Sequence, residues 1–103
     1  MKEIYEDLFD SFIAENEDVS PGVMMREPAV TYKNKVFMFY YADKKAMCFK
    51  LGKGFQIDEY VESFEFLSPF KNKPPMCAWY VVSDDDADAW EELAHLALEN
   101  MGA

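Results

Sequence analysis

Two stretches of the chain, Val36-Phe37-Met38-Phe39-Tyr40-Tyr41 and Met76-Cys77-Ala78-Trp79-Tyr80-Val81-Val82, are apolar at every position. Their aromatic and β-branched residues mark them as strands. A strand with one wet face alternates apolar and polar residues, so unbroken apolar runs demand cover on both faces of a sheet. At 103 residues the chain holds enough apolar material for one core, and residues 1–103 are expected to form a single domain.

The remaining elements fall around these two strands. Ile4, Tyr5, Leu8, Phe9, Phe12 and Ile13 recur at helical spacing and make one apolar stripe, which predicts a helix over 2–15. Ser20-Pro21-Gly22 reads as a break. A first strand over Val23–Tyr32 follows, bent near Pro28, and Lys33-Asn34-Lys35 turns the chain. Val36–Tyr41 and Ala46–Leu51 pair as a hairpin through Asp43-Lys44. Ile57–Glu62 reads as a short helix, Phe64–Leu67 as a fourth strand and Ser68–Pro75 as a loop. Ser83 caps a last helix with Asp84, Asp85 and Asp86 in its first turn, and Trp90, Leu93, Ala94, Ala97 and Met101 form its buried stripe. Gly102 marks its exit. The fold class is α+β: two layers in the order α-β(3)-α-β(2)-α, with an antiparallel five-stranded sheet. Two helices cover one sheet face only, so a second copy of the chain is expected on the other, giving a homodimer.

Charge limits the partners. Residues 1–18 carry seven acids against one lysine, residues 84–103 seven acids and no base, and residues 19–83 nine bases against six acids. Phosphate binding needs Lys and Arg to displace counterions, so the net charge of −10 argues against nucleic acid as the main partner. No apolar run is long enough to span a bilayer, and the acidic N-terminal residues carry no signal core, so the expectation is a cytoplasmic protein with no membrane contact. Cys48 and Cys77 sit in apolar runs without CxxC spacing, and both read as reduced core residues.

The search for chemistry returns little. His95 lies among Glu91, Glu92 and Glu99 with no nucleophile beside it in the pattern. Aligning Asp84, Asp86 and Asp88 to a calcium loop places Ala89 where glycine must turn the chain and His95 where the bidentate Glu belongs. Gly52-Lys53-Gly54 lacks the following Ser or Thr of a phosphate loop. The sequence therefore implies no catalytic, cofactor or metal site and no enzyme. One cluster joins bases and rings: Lys50, Lys53, Phe55, Phe70, Lys71, Asn72, Lys73 and Trp79. Folded together, these residues would form a patch for an acidic protein partner or a nucleic-acid strand. The plainer reading keeps Phe70 and Trp79 in the core. A third expectation places a small ligand in an apolar pocket between sheet and helices.

Met25, Pro28-Ala29, Tyr32, Lys35-Val36-Phe37, Phe49-Lys50-Leu51-Gly52-Lys53-Gly54-Phe55, Leu67-Ser68-Pro69-Phe70-Lys71-Asn72-Lys73-Pro74-Pro75 and Trp79 together resemble the TfoX N-terminal domain family, related to the MmcQ/YjbR-like proteins. Arg26-Glu27 stands where relatives often carry Phe-Gly, and Asn34 where glycine is usual. The resemblance implies a YjbR-like two-layer domain with an antiparallel sheet and supplies no catalytic residues. It also implies a contact or regulatory role, since its relatives include competence regulators and proteins proposed to bind DNA.

Overall fold

The structure, a computed structural model, describes residues 4–68 and 76–102. Its order is α1 (Ile4–Glu15), β1 (Val19–Met24), β2 (Glu27–Tyr32), β3 (Lys35–Tyr41), β4 (Ala46–Lys50), β5 (Glu65–Leu67), β6 (Met76–Ser83) and α2 (Trp90–Asn100). The strands form one antiparallel sheet in the order β1-β2-β3-β4-β6-β5. The class is α+β as the sequence implied, but the sheet has six strands rather than five.

The sixth strand comes from the stretch expected to be a single bent one. The chain reverses at Met25-Arg26, where both residues take left-handed backbone angles (φ 54 and 65) and Met24 pairs with Glu27. Positive φ at both central residues is the two-residue hairpin turn that Asn and Gly normally occupy. With Met and Arg there, the sequence gives no turn signal. The supposed break at Ser20-Pro21-Gly22 belongs to β1, which sits at the sheet edge where a proline's missing N–H costs no ladder bond. Lys33 and Asn34 form the next such turn (φ 49 and 71), as the asparagine suggested.

Alternation sorts the sheet into two cores. Val30, Met38, Phe49 and Tyr80 stand opposite one another across four strands and, with Met47 and Val82, face the helices. Leu8, Phe9 and Phe12 of α1 and Trp90, Leu93, Ala94 and Ala97 of α2 close over them. The Phe12 ring lies 4.6 Å from that of His95, which places the helices side by side. On the reverse face, Ala29, Phe39, Cys48 and Val81 line up across the same strands and pack with Trp79, Ala46 and Leu67. The register slips between Val30 and Thr31, so β3 carries a bulge in which Phe37 and Met38 both join the helix-side core.

Both faces of the apolar strands are covered, as their composition requires. Phe39 and Cys48 are fully buried within one chain, so this face is closed without a second copy, and the ground for expecting a dimer across it falls away.

Four further expectations change. Ile57–Glu62 yields only one 3-10 turn, Ile57–Glu59. Asp84–Ala89 is a kinked 3-10 segment to which Ser83 donates no side-chain cap, and the α-helix starts at Trp90. Ile4, placed in the buried stripe of the first helix, is largely exposed because it begins that helix. Cys77 is exposed, because it lies beyond the part of β6 that pairs with β4. The loop expected over Ser68–Pro75 falls, from 69 onward, outside the described residues.

Candidate functional site

Of the basic and aromatic residues singled out in the sequence, Lys50, Lys53, Phe55 and Trp79 are described, and their two rings do not share one face. Trp79 is 6% exposed, with its ring 5.5 Å from Phe39 in the reverse-face core, and Lys50 stands directly opposite it on β4. Phe55 is half-buried on the helix side, against Tyr60 at 5.7 Å and Tyr80 at 6.1 Å between ring centres. Lys53 is exposed in the turn that follows β4. Phe70, Lys71, Asn72 and Lys73 lie outside the described residues. Among the four that are described, the two rings are thus divided by the sheet, and neither Trp79 nor Phe55 presents an open ring face.

A different surface comes together at β5. Only β6 pairs with this three-residue strand among the described residues, which leaves its outer backbone edge at the end of the sheet. Phe64 and Phe66 are two residues apart and fall on the same side, where their rings lie 5.7 and 5.3 Å from Tyr80 and 5.5 Å from each other. They remain 37% and 40% exposed, and Met76, opposite Leu67, is 38% exposed. Tyr80 anchors the cluster from beneath: it is 2% exposed and its hydroxyl donates to the Gly52 carbonyl at 2.8 Å. Gly52 takes φ +89, a backbone that side-chain-bearing residues rarely adopt, so the GKG turn serves this anchor rather than a phosphate.

A cleft of about 580 Å³ opens beside β5, bordered by Phe64 at its rim and lined further by Lys44, Ala46, Ser63, Glu65, Val81 and Ser83. Lys44 Nζ and Glu65 Oε2 are 2.8 Å apart, and this hydrogen bond is the main cause of a raised Lys44 pKa. Glu27, on β2, accepts the Ala42 N–H through its carboxylate at the start of the turn that carries Lys44. Cys48 lies beneath in the reverse-face core, where burial pushes its thiol up to about 12. A thiol held neutral in this way is a packing group and a poor nucleophile. Ser63 and Ser83 share the cleft with no imidazole, since His95 sits on α2 against Phe12. Among the described residues no group of three or more His, Cys, Asp or Glu side chains could hold a metal ion, and no helix is long and apolar enough to cross a membrane.

Sequence reasoning passed over Phe64, Phe66 and Met76. The signal was Phe64-Glu65-Phe66: in a strand this pattern puts both rings on one side and the carboxylate on the other.

The chain matches no protein-family model, no curated protein and no solved structure.

Proposed function

We propose that the chain is a non-enzymatic, cytoplasmic contact domain, of the TfoX N-terminal type that its sequence resembles, and that it takes an extended segment of a partner protein onto the outer edge of β5. The observation that carries this reading is the exposed Phe66 on a strand that ends the sheet, with the exposed Phe64 packed against it just before that strand. A segment added there gains main-chain hydrogen bonds, and its alternate side chains point to opposite sides of the sheet. Apolar side chains of the partner then meet Phe64 and Phe66. The intervening ones enter the cleft over Ala46 and Val81, with the Lys44–Glu65 pair at hand for a polar group. That neither Cys48 nor Cys77 is in a disulfide agrees with a reducing compartment. The nucleic-acid and small-ligand readings have less behind them: Trp79 is buried, and the cleft beside β5 lies on the reverse face of the sheet and not under the helices.

Selection of random peptides on the immobilised chain tests the proposal. The expected result is enrichment of extended peptides with apolar residues at alternate positions. Their binding should fall about tenfold or more in a Phe64→Ser, Phe66→Ser double variant whose circular dichroism is unchanged. Peptides that bind both proteins equally, or a selection that enriches none, would overturn it.

A further inference from the structure

Strand β1 ends the sheet on the side away from β5, and among the described residues only β2 pairs with it. Its ladder fixes which way each backbone group points. The Lys33 N–H donates to the Asp18 carbonyl at 2.9 Å, and in an antiparallel pair such bonds fall on every second residue. Ser20, Gly22 and Met24 therefore bond to β2, whereas Val19, Pro21 and Val23 turn their backbone outward. The Val19 N–H donates to the Asn16 carbonyl at 3.3 Å and a proline has no N–H, so among the described residues of β1 the outward donor is that of Val23.

Val19, Pro21 and Val23 also share the helix side of the sheet, where Val19 joins the core. Val23 is 72% exposed, more than any other large apolar side chain described. Pro21 lines a groove of about 380 Å³ together with Phe9 and Ile13 of α1. Glu6 and Asp10 line it too, and each is engaged within the chain. Charge is set out unevenly along the strand: Glu17 and Asp18 precede it, Arg26 follows it, and all three are exposed. Among the described residues no ion pair engages Asp18 or Arg26.

A strand with acids at one end and a base at the other is complementary to itself when reversed. We propose that two copies of the chain pair through β1 about a two-fold axis at Gly22, joining their sheets into one. Each Val23 N–H then donates to the Pro21 carbonyl of the partner subunit, and neither proline is asked for a donor. Gly22 meets its counterpart at the position where opposed Cα atoms come closest, with no side chain between them. Val23 packs beside the partner's Pro21 at the mouth of the groove, and Arg26 reaches the partner's Asp18. An axis at Pro21 would set two rings opposite one another with no donor between them, so the proline selects the register. This interface lies at the other end of the sheet from β5 and goes beyond the contact role proposed there.

The test is sedimentation velocity of the full chain from about 10 μM to about 1 mM. Salt of about 0.15 M, with a Debye length of about 8 Å, screens the net charge of −10 on each copy more than it screens groups in contact. The expected result is a dimer that grows in with concentration, accompanied by a shift of the Val23 amide resonance. Arg26→Glu sets like charges together at both ends and should weaken the dimer about tenfold, and adding Asp18→Arg should restore it to within about threefold of the parent. The Phe64→Ser, Phe66→Ser variant should dimerise as the parent does, which separates this interface from the β5 edge. Monomer alone at the highest concentration, no recovery in the double charge variant, or a dimer lost in the Phe64, Phe66 variant would each overturn the inference.

Discussion

The Met25-Arg26 turn holds two bulky residues in the left-handed region, at φ 54 and 65, where an L-residue pays roughly 1–2 kcal/mol. Replacing the pair by the sequence this turn prefers, Met25→Asn with Arg26→Gly, should therefore stabilise the fold. Glycine removes the penalty at 26 but returns roughly 0.5–1 kcal/mol through the greater freedom of the unfolded chain. Asparagine relieves only part of the strain at 25. Met25 is 40% exposed, so its replacement gives up little burial. The net gain should be about 1 kcal/mol, or a rise in Tm of roughly 4–8 °C for a domain of this size. Urea and thermal unfolding of the two proteins measure it directly. Asn34→Gly serves as the internal comparison: Asn already tolerates φ 71, so its gain should be smaller. An unchanged or lowered Tm in the Met25, Arg26 double variant would refute the reasoning, because the turn residues would then supply contacts worth more than their strain.

Three further outcomes follow from the same structure. A thiol reagent at neutral pH should label Cys77 quickly and Cys48 only on unfolding, giving one reactive thiol per folded chain by absorbance. Because burial raises the Cys48 pKa to about 12, the unfolded chain loses this proton at lower pH than the folded one. Stability should then fall as pH climbs above about 9, by roughly 1.4 kcal/mol per pH unit at most, and Cys48→Ala should flatten this slope in urea titrations. Tyr80→Phe removes the hydroxyl that holds the Gly52 carbonyl at 2.8 Å and should cost about 1 kcal/mol of unfolding free energy, with the helix content by circular dichroism unchanged.

Much of the fold could be read from apolar patterning, because patterning is what the core responds to. The unbroken runs at Val36–Tyr41 and Met76–Val82 announced a sheet covered on both faces, and both faces are filled. The stripe of Trp90, Leu93, Ala94 and Ala97 is buried as spaced. What could not be read depends on backbone angles or on distant pairing. Met25 and Arg26 adopt a turn that their side chains disfavour, so one expected strand is two. The partner of Phe66 is Tyr80, fourteen positions on, and nothing local to Phe64–Leu67 says that β6 alone pairs with it among the described residues. Trp79 could be read either way, as a core residue or as a binding ring, and alternation in β6 turns it inward beside Phe39, as the plainer reading had it.

The doubled position at Phe37-Met38 gives β3 a link of slack. Losing one residue there would straighten the strand and free the ring that leans on Phe12, yet Met38 would still meet Val30 and Val36 would still meet Thr31. A one-residue change of length in the middle of a sheet ordinarily turns every following side chain inside out. Here the register survives the loss, and the damage is confined to the helix-side core, which gives up one buried ring.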